Sequence, residues 1–206
     1  MRMMPITRAL LVANIVCYGL QQLLGGIVQQ HFALWPLASP AFVPSFQPWQ
    51  LVTYAFLHDP HNVTHLLANM LALYMFGSPV ESLLGPRRYG IYYTAAVLGA
   101  AVTQLAVMHL QGNDFTPTVG ASGGIFGLLL AYGLAFPHNK LMLLFPPIPL
   151  PAWLFVTLYG VLELVLGVTG SADGVAHFAH LGGAAAGFVL IVYWRRKARR
   201  NGPRGA

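Results

Sequence analysis

Three groups of residues in this chain carry chemistry that an apolar helix does not need. Gly120 to Gly124 reads GASGG, in which Ser122 is the one nucleophilic side chain. Neighbours with almost no side chain let a substrate or another backbone approach closely. The segment AHFAHLGGAAAG sets His177 and His180 three residues apart, roughly on one helical face. A neutral imidazole beside a serine can take its proton and return it to a leaving amine. The segment HDPHNVTHLLANM sets His65 and Asn69 four residues apart, again on one face. Both side chains can donate hydrogen bonds to an oxyanion in a water-poor site, where such donors count most.

Each group also has a plainer explanation. Gly120 with Gly124, and Gly123 with Gly127, form GxxxG pairs of the kind that pack membrane helices. His177 and His180 could bond loop carbonyls at an interface, and His65 with Asn69 could bridge two helices. His58, His61 and His65, with His177 and His180, raise a metal site as well. No cysteine accompanies them, Asp59 is the only nearby carboxylate, and the spacing matches no closed zinc pattern. No metal and no other cofactor is therefore expected. What favours catalysis is the joint placement of nucleophile, base and donors on three elements of one chain.

Those elements are membrane helices. Of the 206 residues, 56% are hydrophobic and only 8% charged, whereas a soluble domain carries about 25% charged residues. A soluble chain this short must still cover its surface with polar groups; a bilayer removes that requirement. Six segments approach the length needed to cross hydrocarbon: residues 10–28, 65–84, 89–110, 121–136, 153–168 and 175–194. The fourth is short and is expected to sit deep or to be entered from a re-entrant loop. The first lacks the cleavage pattern of a signal peptide. All six should be helical, since an open sheet edge cannot be satisfied in lipid. The fold class is thus all-α, a polytopic bundle forming a single membrane domain over residues 1–206.

Charge orients the bundle. Arg2, Arg8, Arg87, Arg88, Lys140 and the run Arg195, Arg196, Lys197, Arg199 and Arg200 all fall on one set of connections. The loops near residues 31–50, 111–118 and 170–174 carry no Lys or Arg. Both termini should therefore be cytoplasmic, with the second, fourth and sixth helices beginning at the outer face. The net charge of +6 reads as a membrane anchor in a basic tail, 195–206, facing anionic lipid, with no role in nucleic-acid binding. Cys17, the single cysteine, lies in an apolar run and is expected to pack. The loop 31–49, with Trp35, Phe42, Phe46 and Trp49, is expected in the outer interface, and the proline-broken stretch 141–153 along the inner one.

Taken together, these residues resemble the rhomboid family of intramembrane serine proteases, over essentially the whole chain. GASG around Ser122 is similar to the family's GxSG motif, and His65 with Asn69 to its HxxxN. Ala179–His180 with Gly183 and Gly187 is similar to its AHxxGxxxG, and Glu81 with Gly85 to an ExxxG pattern. The resemblance implies a six-helix bundle of the basic bacterial form. It also implies that His180, the histidine followed by glycines at three and seven residues, is the base, with His177 one turn nearer the outside. A Ser–His dyad follows, and Asp173, the nearest acidic candidate, should lie in a loop. Two departures stand out. A Trp–Arg pair of many members is here Trp49–Gln50, and Phe126 stands where some members place a tyrosine against the histidine.

The implied activity is serine endopeptidase cleavage of single-pass or other transmembrane proteins near the outer face, in a bacterial inner membrane. Ser122 would attack, His180 would act as general base and acid, and His65, Asn69 and the Ser122 backbone N–H would hold the oxyanion. An inactive family relative that binds transmembrane helices is one alternative. A small histidine-lined transporter is another, with Glu163 its main candidate residue; Glu163 could equally bond a neighbouring helix.

Overall fold

The computed structural model describes residues 3–112, 115–142, 147–170 and 176–201. Among the described residues eight α-helices run in chain order: α1 Pro5–Leu24, α2 Gly26–Phe32, α3 Gln50–Thr53, α4 Val63–Leu84, α5 Pro86–Gln111, α6 Ser122–Ala135, α7 Ala152–Thr169 and α8 His177–Asn201. Four are long and apolar enough to cross a membrane: α4, α5, α7 and α8. This is the signature of a multi-pass membrane protein. α1 has the length, at 20 residues, but is less apolar, with Asn14, Gln21 and Gln22 along it.

α6 is the short one. Its 14 residues extend about 21 Å, less than the roughly 30 Å of hydrocarbon in a bilayer. It packs against α4, α5, α7 and α8 and is buried from Gly123 through Leu129. A helix that is apolar all round belongs inside a bundle, so α6 needs no lipid-facing length.

Several expected boundaries change. The first helix ends at Leu24, not near Val28, because Gly25 at φ 62° breaks it before α2. The last helix carries the basic run as helix through Arg200 instead of releasing it at Trp194. The proline-rich stretch after α6 is not wholly irregular: β1 (Lys140–Met142) and β2 (Pro149–Pro151) pair antiparallel, Leu141 opposite Leu150. This small hairpin is the exception to an otherwise helical fold. Before α3, Phe42 and Trp49 leave their rings exposed as an interfacial loop would, whereas Trp35 is buried. The loop is tied by Gln50, fully buried, whose Oε1 accepts from the N–H of Trp35 and of Gln47 while its Nε2 donates to the His31 carbonyl.

Glu81 of α4 explains how α1 is held. Pro5 opens α1, so its first free amides are those of Ile6 and Thr7. Glu81 accepts both, at 2.9 and 2.7 Å, and also the Thr7 hydroxyl at 2.8 Å. A buried carboxylate thus meets the positive end of a helix dipole. Ser78, one turn earlier, accepts from the Met4 N–H at 3.2 Å. Removing the acceptor in Glu81→Ala leaves the buried Thr7 amide and the part-buried Ile6 amide unpaired, at about 1–3 kcal/mol for the buried group. The expected outcome is a melting midpoint in detergent lower by many degrees, with a smaller drop for Glu81→Gln.

Candidate active site

Ser122 is the first residue of α6, and the chain before it is pinned on two sides. Leu34 and Thr118 form a β-bridge, and the Gly120 N–H donates to the Tyr54 carbonyl at 3.0 Å. Gly120 has φ 133°, a conformation closed to side-chain-bearing residues. The turn delivers Ser122 with its own N–H among the first-turn amides that no carbonyl of the helix accepts.

α8 reaches this serine because nothing stands between the two backbones. A Cβ on Gly183 would collide with the Gly123 carbonyl, and one on Gly187 with the Tyr92 ring. Tyr92 donates its hydroxyl to the Gly127 carbonyl at 2.7 Å, tying α5 to α6 at the same level. Gly127 faces Ala96 and the Gly183 carbonyl. In lipid, where apolar burial does not drive helices together, such close van der Waals packing does. His180, three residues before Gly183, thereby comes within 2.8 Å of the Ser122 Oγ through its Nε2. The Phe126 ring lies flat on the imidazole, 4.4 Å between centroids at 5°. Phe126 is one turn after Ser122, so the same helix presents the serine and the ring that orients its neighbour.

His65 and Asn69 lie on α4 beside this pair. The Asp59 N–H donates to His65 Nδ1 at 3.3 Å. A neutral imidazole accepting at Nδ1 carries its proton on Nε2. That Nε2 lies 3.1 Å, and the Ser122 Oγ 3.5 Å, from the point a Cβ on Gly120 would occupy. The glycine therefore keeps open a small space bounded by the hydroxyl and an N–H donor. Asn69, buried, spends one amide hydrogen on the His65 carbonyl at 2.9 Å and has a second. His58 packs edge-on against His65, at 5.1 Å, and its main chain is held by both ends of the Gln21 amide. Burial first, then the neighbouring His65, pushes the His58 imidazole down to about 4. His61 is exposed, its N–H on Asp59.

The structure brings a further side chain to this cluster. Glu163 of α7 is buried and places Oε2 2.8 Å from His180 Nδ1 and 2.7 Å from His177 Nδ1. His177, whose role the sequence left open, is a buried partner of the same carboxylate. Asp173 lies outside the described residues. The signal for Glu163 was present: a carboxylate in a membrane helix needs a named partner, and histidines open the next helix. Spacing alone does not show which face of α7 turns toward them.

Glu163, His177 and His180 are also the ligand-type side chains that converge among the described residues, within 4.8 Å; the set built on His58, His61 and His65 does not. A tetrahedral zinc with bonds of about 2.0–2.1 Å holds its ligands roughly 3.3 Å apart. The observed 2.7 and 2.8 Å are hydrogen-bond separations, so the geometry fits protons better than a metal ion.

The rhomboid domain profile matches residues 45–197. The chain belongs to the rhomboid family. It is similar to Rhomboid protein 1, mitochondrial, of Saccharomyces cerevisiae, 32% identical over 92% of this chain and 53% of that protein. It is also similar to Rhomboid protease GlpG of Serratia proteamaculans (29% identical, covering 96% of this chain and 65% of that protein). RHOMBOID-like protein 2 of Arabidopsis thaliana is 34% identical over 72% of this chain and 43% of its own length. The chain thus covers less than two thirds of each of these relatives.

In this rhomboid the glycines after His180 set the distance between His180 and Ser122. Gly183→Ala is expected to slow labelling of Ser122 by a fluorophosphonate about 100-fold, the scale of a 1 Å misplacement. Gly160→Ala, where a Cβ meets nothing within 4 Å, should label at the parent rate. His58 yields a pH test. Its imidazole protonates more readily in the unfolded chain, near its ordinary 6.5. Stability complete above that pH is lost as pH falls toward about 4. The drop in melting midpoint between pH 6.5 and 4.5 should be smaller in His58→Phe than in the parent.

Proposed function

We propose that this chain is an intramembrane serine endopeptidase that cleaves transmembrane-helix substrates near the outer face by a Ser122–His180 pair. The observation that carries the proposal is the 2.8 Å approach of His180 Nε2 to Ser122 Oγ. The named activity of a relative, Rhomboid protease GlpG, agrees with it.

Ser122 attacks the scissile carbonyl while His180 takes the hydroxyl proton at Nε2. The proton passes to the leaving amine as the acyl-enzyme forms, and water then enters by the same base. The oxyanion is held by the Ser122 N–H, with the His65 Nε2–H and the free Asn69 amide hydrogen beside it. The positive end of α6 adds to that field. A helical carbonyl is already bonded, so the substrate must unwind locally; small or helix-breaking residues near the cut favour this.

The distribution of Lys and Arg supports cytoplasmic termini, with the site toward the outer face; the proposed setting is a bacterial inner membrane, with residues 1–206 forming one membrane domain. The substrates are single-pass or other transmembrane proteins, met in lipid. No cofactor takes part.

Reconstitution with a labelled single-pass substrate tests the assignment. Ser122→Ala and His180→Ala should each cut kcat/KM by at least about 1,000-fold. His177→Ala should stay within about tenfold of the parent, since Glu163 keeps His180. Cleavage that survives Ser122→Ala overturns the serine mechanism. Substrate binding without cleavage by the parent protein favours the inactive binder instead.

A further inference from the structure

We propose that Glu163 is a positioning residue that holds His180 in the tautomer and orientation needed to accept the Ser122 proton, completing a Ser–His–Glu triad. The inference rests on the protease reading above and deepens it.

An ionised carboxylate can only accept hydrogen bonds. His180 Nδ1, 2.8 Å from Glu163 Oε2, must therefore donate. The single proton of the neutral ring then sits on Nδ1, and Nε2 is left bare, 2.8 Å from the Ser122 hydroxyl. The opposite tautomer would place a proton against a serine that also needs to donate. Phe126 fixes the plane of the ring by stacking on it, but stacking tolerates rotation within that plane. The carboxylate selects one rotation.

His177 serves the carboxylate. Its Nδ1 donates to the same Oε2 at 2.7 Å, so Glu163 keeps a partner and a fixed position throughout. A lone buried carboxylate would be costly; two N–H donors on one oxygen offset that cost. During attack the Ser122 proton moves to His180 Nε2, and the ring becomes an imidazolium with N–H on both nitrogens. Its Nδ1–H faces the Glu163 charge, which stabilises the cation without taking the proton. When the leaving amine takes the Nε2 proton, the starting tautomer returns. Every proton is accounted for, and Glu163 remains ionised.

Placement on α7 is informative as well. Ala152 and Glu163 are the buried residues of that helix among those described, while Leu158, Val161, Leu162, Leu164, Val165 and Val168 are exposed. Phe155, Val156 and Tyr159 supply the apolar packing of this helix against the bundle, and its one buried polar side chain faces the two histidines.

The test compares the full chain with Glu163→Gln, Glu163→Asp and Glu163→Leu in vesicles, with Ser122→Ala as control. The substrate is a labelled single-pass peptide carrying small residues near its outer end. Glu163→Gln is expected to lower kcat about 100-fold with KM within about twofold and the melting midpoint nearly unchanged, while Glu163→Asp recovers to within about tenfold. Nitrogen NMR of labelled histidine should report His180 protonated at Nδ1 in the parent and redistributed toward Nε2 in Glu163→Leu. Parent-like kcat in both Glu163→Gln and Glu163→Leu overturns the triad, even while loss of cleavage in Ser122→Ala upholds the serine mechanism. A loss of kcat that tracks lowered melting in all three variants, without recovery in Glu163→Asp, reduces Glu163 to a structural tie. Should the parent protein not cleave, the protease reading fails, and the tautomer measurement alone decides: an unchanged His180 tautomer in Glu163→Leu overturns the positioning role.

Discussion

At Gly123 and Gly183 the backbones of α6 and α8 meet with no side chain between them, and the candidate site depends on that contact. The space there is smaller than a methyl group. In water, apolar burial would tolerate a looser fit, since any exclusion of solvent is rewarded. In lipid the gain comes from contact itself, so the close approach is both the adhesive and the ruler. Ser122 lies one residue before Gly123 and His180 three before Gly183, which leaves little lever arm between the contact and the chemistry. The same layer includes Tyr92, whose hydroxyl binds the Gly127 carbonyl while its ring fills the place a Cβ on Gly187 would take. α5, α6 and α8 are therefore gauged against each other at a single level.

Buried polar groups do the complementary work of joining elements distant in sequence. Glu81 joins α4 to the first amides of α1. Gln21 joins α1 to the chain ahead of α4 through both atoms of its amide. Gln50 ties the loop between α2 and α3 through neutral hydrogen bonds. Glu163 joins α7 to α8. Unpaired polar groups cost more where water is scarce, so each tie is sharply selective for one arrangement. α7 shows the consequence most clearly. Many of its leucines and valines are exposed, and it is held near the site by the carboxylate, by the packing of Phe155 and Val156 on the core and by the contact of Tyr159 with Phe126 at 4.8 Å.

Periodicity and charge made much of this legible. Apolar runs located α4, α5, α6 and α7 to within a few residues, since the bilayer imposes one backbone solution, while the short helices α2 and α3 were not expected. The GxSG-like, HxxxN-like and AHxxGxxxG-like segments singled out Ser122, His65 with Asn69, and His180; beside Ser122 and His180 stand glycines that allow close approach. The break at Gly25, the pairing of Lys140–Met142 with Pro149–Pro151 and the helical course of the basic run were not legible. They depend on what the neighbouring chain offers, and local composition is compatible with more than one outcome.

By itself the sequence determined that this is a membrane bundle of the rhomboid family, and which serine, histidines and asparagine stand at the starts of its helices. Helical spacing of three or four residues shows a shared face, whatever lies opposite it. Only the tertiary structure decided what does lie opposite. It turned Glu163 toward both histidines, buried His177, laid Phe126 flat on His180 and left His65 Nε2 beside the serine. The reason is geometric. The rotation of one helix about its axis relative to another is set by contacts across the bundle, and no pattern within a single helix encodes it.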